Sequence, residues 1–202
     1  MKEYFISDTH FGHRNMCGEN SIVPTRKRFK DTDEMDVYLV QNWNLQVNKT
    51  DTVYFLGDFS MNAKPQRIVD LLKALQGNIV FVKGNHDASK LKTLIARTPE
   101  LNSRIEWYDL GLIIKRDKKI IHLTHYPLII GERGNRVNLH GHIHEYARVE
   151  PNLLNVGIDS PELGNHPFGA PISLEQALAL LEAKRTNFKA DGLEMDLHGI
   201  IK

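Results

Sequence analysis

Asp8 and His10 stand two residues apart, as do His142 and His144, and between these pairs lie Gly57-Asp58, Gly84-Asn85-His86-Asp87 and His125. Carboxylates and imidazoles with one carboxamide, and no thiolate, make a donor set suited to borderline divalent ions such as Mn, Fe, Zn, Co or Ni; they exclude a structural thiolate zinc site. A carboxylate has two oxygens, so one aspartate can hold two ions. Two ions roughly 3.5 to 4 Å apart activate a water and stabilise the charge developing on a transferring phosphoryl group. Each cluster alone has an ordinary explanation, since Asp and His cap strand ends and Gly-Asp belongs to turns. Their combination in fixed order reads as a two-metal hydrolase.

Such clusters must be delivered by regular elements. The runs Tyr4-Phe5-Ile6, Val53 to Leu56, Ile79 to Val82, Ile120 to Leu123 and Val137 to Leu139 are short, β-branched or aromatic, and bounded by Gly or polar residues. They predict five buried strands, each ending at a cluster. Ligands at strand ends converge on one sheet edge, where open α/β sheets place their sites. Met35, Tyr38, Leu39, Trp43 and Val47 recur at helical spacing, with Asp31 and Glu34 set as a capping box. Pro65 opens a second helix facing inward through Ile68, Leu71, Leu72 and Leu75 and ended by Gly77. Ser89 to Arg97 predicts a shorter helix stopped by Pro99, and Ser173 with Gln176 begins a last one burying Leu174, Ala177, Leu178 and Leu181.

Strands and helices alternate through the first half, while residues 105–123 read as a hairpin turned at Asp117 and Lys118. This pattern predicts an α/β fold with two sheets sandwiched between helices. Residues 1–184 read as one domain and 185–202 as a weakly patterned C-terminal extension. The irregular stretches 11–30 and 158–172 are expected to rim the site, because compact domains rarely keep long loops without a use.

A chain of 202 residues, 41% hydrophobic, can bury one substantial core. Its formal net charge of +1 argues against a dedicated basic nucleic-acid binder, although a nuclease acting through metals stays compatible with it. The single cysteine, Cys17, cannot form an internal disulfide and reads as a packing residue. No apolar run approaches the roughly 18 residues of a membrane span, and nothing resembles a signal peptide, so the expected setting is cytoplasmic.

The motifs resemble those of the calcineurin-like metallophosphoesterases, D-x-H, G-D, G-N-H-[D/E], H and G-H-x-H, which run here over residues 8 to 144. The resemblance implies a four-layer α/β/β/α sandwich with two mixed sheets, two divalent ions with manganese foremost, and a phosphomonoester or phosphodiester as substrate. It implies Asp8, His10 and His144 at one ion, Asn85, His125 and His142 at the other, and Asp58 bridging them. His86 would sit outside the ligand shell and protonate the departing alkoxide. Ser7-Asp8-Thr9-His10-Phe11-Gly12-His13 and Asn42-Trp43-Asn44 look similar to small bacterial and phage members. The protein Ser/Thr phosphatase branch, with G-D-x-x-D-R-G and G-N-H-E, is disfavoured by Gly57-Asp58-Phe59-Ser60-Met61-Asn62 and by Asp87. The same departure removes the carboxylate that would orient His86 and leaves Asp87 as its neighbour. Two alternatives share the fold: a nuclease or cyclic nucleotide phosphodiesterase, and a non-catalytic scaffold, against which the complete ligand set speaks.

Among the remaining polar residues, His13 and Arg14 follow the first ligand pair and Arg28 stands in the basic group Arg26, Lys27, Arg28, Lys30; these three are the expected substrate contacts. His122 and His140 lie in apolar runs and read as core histidines, and His166 as a loop residue.

Overall fold

A computed structural model describes residues 1–131 and 133–201. Four strands, β1 (Glu3–Ile6), β2 (Thr52–Phe55), β3 (Asn78–Val82) and β4 (Ile105–Tyr108), lie parallel in the order β4-β3-β2-β1. A second sheet contains β5 (Gly111–Arg116), β6 (Lys119–Thr124), β7 (Arg136–His140) and β8 (Leu153–Asn155), with β5 antiparallel to β6 and the rest parallel. The first sheet is completed by β9 (Ile172–Ser173), antiparallel to β1. Both sheets are therefore mixed, and helices flank them in an α/β sandwich, as the motifs implied.

Side-chain alternation along each strand builds two cores. Tyr4, Ile6, Val53, Phe55, Ile79 and Phe81 face a helical layer, where they meet Met35, Leu39, Trp43, Leu72, Leu91 and Leu101. That layer comprises α1 (Thr32–Gln46), α2 (Pro65–Ala74), α3 (Ser89–Arg97) and α4 (Pro99–Asn102). Phe5, Tyr54, Leu56 and Val82 point the other way, onto Ile121, Leu123, Val137 and Leu139 of the second sheet. The last helix, α5 (Leu174–Ala190), adds Ala177 and Leu181 to this second core.

Local signals account for most element ends. Asp31 caps α1 by accepting from the amides of Asp33 and Glu34, but the Glu34 carboxylate reaches Lys30 N rather than Asp31 N, so the box closes one residue early. At α5 the Ser173–Gln176 capping box is complete. Helix α2 stops at Ala74, three residues before Gly77, whose φ of 89° turns the chain towards β3. Pro99 does stop α3, and it also opens the one-turn α4.

The hairpin is shorter than expected. Its turn is at Asp117 and Lys118, with φ of 46° and 63°, but it spans only β5 and β6. Residues 105–108 belong to the other sheet, where Ile105 pairs with Ile79 and the Trp107 ring stacks on Phe81 at 4.6 Å. Only Asp109 and Leu110 link β4 to β5, and pairing with β3 draws β4 into the first sheet. Helix α5 continues past Lys184 and buries Phe188 in its last turn. Among the described residues no helix is long and apolar enough to cross a membrane.

Candidate metal centre

Six strands deliver their C-terminal ends to one edge of the sandwich; motif residues follow five of them, Asp8 after β1, Asp58 after β2, Asn85 after β3, His125 after β6 and His142 after β7, and Asp159 follows β8. The loops after β1 and β2 are zipped together through Asp8 N to Gly57 O (3.0 Å), His10 N to Asp58 O (3.0 Å) and Phe11 N to Phe59 O (2.7 Å).

Residues two apart on an extended strand stand about 6.6 Å from each other, too far for both to share one ion. The chain solves this with left-handed backbone: φ is 61° at Asp8, 49° at His10, 73° at His142 and 47° at His144, and Asp58 joins them at 59°. Non-glycine residues pay of order 1–3 kcal/mol each for this conformation, and Asp, Asn and His tolerate it best. The resulting curl gathers two clusters, Asp8–His10–His144 and Asp58–His125–His142, each with ligand atoms within 4.8 Å of one another.

The motif glycines make room for these carboxylates. A Cβ on Gly84 would collide with Asp58, whose Cγ is 2.8 Å from that position, and one on Gly57 would meet His125 Nδ1 at 2.6 Å. On Gly141 it would run into Ser7 and the Asp8 carboxylate.

The two clusters approach through Asp58. Its Oδ2 lies 3.6 Å from His10 Nε2 and 3.3 Å from His125 Nε2, while Oδ1 accepts the His86 amide at 2.8 Å. Asn85 Oδ1 stands 2.8 Å from the same His125 Nε2. His125 Nδ1 donates to the Leu56 carbonyl at 2.8 Å; a carbonyl only accepts, so this nitrogen carries the ring proton and Nε2 is left with its lone pair. Nε2, the amide oxygen and the carboxylate therefore converge as acceptors, a set that either a second proton on the ring or a cation satisfies. Burial opposes that proton, but the hydrogen bond and charge of Asp58 outweigh it and raise the His125 pKa.

At the other cluster, His10 is buried with neither ring nitrogen hydrogen-bonded, and burial, reinforced by the charge of Arg26, pulls its pKa down to about 2. It is a neutral imidazole with an unshared lone pair beside a carboxylate, the form in which histidine binds metals. Asp8 is fully buried, and desolvation pushes its pKa up; it accepts the His142 amide at 3.0 Å through Oδ2. His144 Nδ1 donates to Asp159 Oδ2 at 3.2 Å, which turns Nε2 towards the cluster, the arrangement common behind metal-bound imidazoles. Unpartnered buried nitrogens, buried carboxylates and oriented imidazoles fit divalent cations at both clusters.

The surroundings contain residues that motif spacing did not mark. Arg26, which the sequence offers only as one member of a basic run, is fully buried; it donates to the carbonyls of Asp8 (2.5 Å) and Thr9 (2.8 Å) and to Asp159. Asp159 also accepts from Thr25 Oγ1 at 2.6 Å, and Arg26 holds its carboxyl well below the usual range despite burial. Both irregular stretches thus contribute to the site, from beneath it. Asp87 is buried and accepts three backbone amides, those of Asp58 (2.8 Å), Phe59 (2.9 Å) and Gly84 (2.8 Å). Its side chain does point inward, but it fastens the Asp58 loop to the Gly84 loop and both oxygens are used there. His86 is exposed, its ring 5.3 Å from that of His10.

Of the expected substrate contacts, His13 is brought to the clusters, buried with its ring 5.4 Å from His10 and 6.5 Å from His86. Arg14 is exposed, and among the described residues its side chain has no hydrogen bond or ion pair to either cluster. The Arg28 guanidinium lies over Phe168 (4.3 Å), Phe29 (4.9 Å) and Tyr38 (5.0 Å), a clip that pins the 11–30 loop to α1. His140 is a core residue, as expected, with Nδ1 donating to the Gly141 carbonyl; burial pulls its pKa down to about 4. His122 is half-buried in β6, and His166 bonds Ala170 O within its own loop.

A sequence model of the calcineurin-like phosphoesterase superfamily domain matches residues 1–161, and the chain belongs to that superfamily, whose members are metal-dependent and typically hydrolyse phosphoesters. An uncharacterized protein of Methanocaldococcus jannaschii is 33% identical over 186 residues, covering 90% of this chain and 92% of that one. The Gene 66 protein of Mycobacterium phage D29 is 23% identical over 185 residues, 78% of this chain and 87% of its own. Among solved structures, a protein of unknown function from Aquifex aeolicus superposes with a TM-score of 0.63 at 29% identity, covering 89% of this chain and 98% of the other.

Proposed function

We propose that this protein is a phosphoesterase with a dinuclear metal centre, Asp8, His10 and His144 holding one ion, Asn85, His125 and His142 the other, and Asp58 shared between them. The position of Asp58 Oδ2, 3.6 Å from an imidazole of one cluster and 3.3 Å from an imidazole of the other, carries this reading. Manganese is the first choice of metal, since the donors are oxygen and imidazole without sulfur. When bound, the ions supply Lewis acidity at the phosphoryl oxygens and lower the pKa of a water that attacks phosphorus.

The chain's own residues do the rest. Asn85 and His13 would hold the phosphoryl oxygens by hydrogen bonds. His86, exposed at the rim and tied through its backbone to Asp58, is placed to carry a proton to the leaving oxygen. Arg26 and Asp159 keep His144 aimed, and Asp87 keeps Asp58 in place. The lone Cys17, with no partner for a disulfide, suits a cytoplasmic setting. Metal-reconstituted protein assayed against phosphomonoesters, linear and cyclic diesters and short oligonucleotides tests the proposal; turnover of at least one class, abolished by chelation and restored by metal, is expected. No turnover of any class with both sites loaded leaves the scaffold alternative.

A further inference from the structure

A groove of about 500 Å³ opens beside Asn85 and His86, between the start of α2 and the outer face of α3. Ile68 and Leu91, both buried, form its floor with the half-buried Met61 and Leu94. Along α3, Lys90, Leu94 and Arg97 recur at i, i+4 and i+7, so one stripe of the helix presents two cations with an apolar residue between them. Three other cations of α2 and α3 are neutralised: Arg67 by Asp33 and Asp36, Lys73 by Glu100, Lys92 by Asp109. The side chains of Lys90 and Arg97 have no ion pair or hydrogen bond among the described residues.

We infer that this groove is the leaving-group subsite, and that it takes an alcohol carrying both an apolar ring system and a second anionic group; the inference rests on the phosphoesterase proposal, with His86 on the leaving side. An apolar floor with two unmatched cations complements that combination and offers little to a small neutral polyol. The volume lies in the range of ordinary ligand pockets and accommodates a nucleoside-sized group. Met61 adds a polarisable thioether suited to an aromatic face.

Three esters separate the contributions: adenosine 3′,5′-bisphosphate, whose 3′ hydrolysis releases a ring with a second phosphate; adenosine 3′-phosphate, a ring alone; and glycerol 2-phosphate, neither. In the metal-loaded protein kcat/KM for phosphate release, read at the 3′ position of the two nucleotides, should fall in that order. Lys90→Glu with Arg97→Glu should lower the ratio of bisphosphate to adenosine 3′-phosphate at least tenfold, and Leu94→Asp the ratio of adenosine 3′-phosphate to glycerol 2-phosphate by a similar factor. Binding of adenosine 5′-monophosphate to metal-loaded protein, with saturating orthophosphate holding the metal sites, reads the groove without turnover; the charge-reversed variant should weaken it about tenfold. Equal kcat/KM for the three esters, or ratios and binding untouched by the variants, overturns the inference. If wild type hydrolyses none of them, nor any diester or oligonucleotide, yet binds the nucleotide through Lys90 and Arg97, the groove stands as a ligand site and the phosphoesterase proposal falls.

Discussion

Arg26 Nη2 lies 2.5 Å from Asp159 Oδ2, with both side chains fully buried and the two residues 133 positions apart in the chain. The pair ties the loop after β1 to the loop after β8 directly beneath Asp8 and His144. Arg26 spends its remaining donors on the Asp8 and Thr9 carbonyls, which fixes the left-handed turn from which Asp8 and His10 project.

Asp159→Asn should therefore do two separate things. Leaving Arg26 buried without its counterion should destabilise the fold by about 3–5 kcal/mol, measured by urea denaturation of the metal-free protein. Releasing His144 Nδ1 should weaken one metal site about 10 to 100-fold, the usual effect of losing a carboxylate behind a histidine ligand. Titration showing two unaltered metal affinities in folded Asp159→Asn would detach Asp159 from the centre.

Asp58 is expected to matter to both ions and each terminal ligand to one. Asp58→Asn keeps the side-chain shape but removes the charge, so elemental analysis should find less metal than in His144→Ala. Retention of two tightly bound ions per chain in Asp58→Asn would sink the shared role.

The strand-end clusters were legible in the sequence because motif residues follow apolar runs directly, and those runs became β1, β2, β3, β6 and β7. Helix boundaries followed where a cap or proline marks them, as at Asp31, Pro65 and Ser173. What escaped was everything set by contacts across long separations. Arg26 sits among exposed cations in sequence, and nothing local distinguishes it from Lys27 or Arg28; only Asp159 does, and it stands in a Pro- and Gly-rich stretch with no periodicity. The partners of Asp87 are backbone amides, which no pattern of residue types records. Residues 105–108 read as part of the hairpin because their side-chain pattern gives no sign of which sheet they enter.

Asp87→Asn tests that fastening role. An amide replaces one acceptor oxygen with a donor; even with its remaining oxygen where Oδ2 accepts from Asp58 and Gly84, the bond from Phe59 N is lost and the NH2 group faces that N–H, while the two bonds kept lose their charge. Charge-assisted bonds of this kind contribute roughly 1.5–3 kcal/mol each, and a loss of about 3 kcal/mol in stability is expected with weaker metal binding. Stability within about 0.5 kcal/mol of wild type would show that the two loops are held by other contacts.

The β5–β6 turn offers a gain instead. Lys118 is exposed with φ of 63°, in a two-residue turn whose second position favours glycine. Lys118→Gly should relieve backbone strain of about 1–2 kcal/mol, less the extra freedom given to the unfolded chain, for a net gain of about 0.5–1 kcal/mol. Denaturation midpoints measure it, and activity should not change, because the turn lies at the opposite end of β6 from His125.

His86 supplies the sharpest test of mechanism. Its backbone is anchored to Asp58 while its ring is exposed, and Asp87, the carboxylate next to it, is committed elsewhere. A ring so placed can deliver a proton without being a ligand. Poor leaving groups need that proton in the transition state, whereas p-nitrophenolate is stable enough to leave almost without it. His86→Ala should then lower kcat for an alkyl phosphate by about 10² to 10⁴-fold and for the matched p-nitrophenyl ester far less. The comparison requires equal metal occupancy and conditions where chemistry limits turnover. An equal loss on both esters, or one that follows missing metal, assigns His86 to ligation or charge stabilisation, and the proton must then come to the leaving oxygen from another group, with the neighbouring His13 the first to replace.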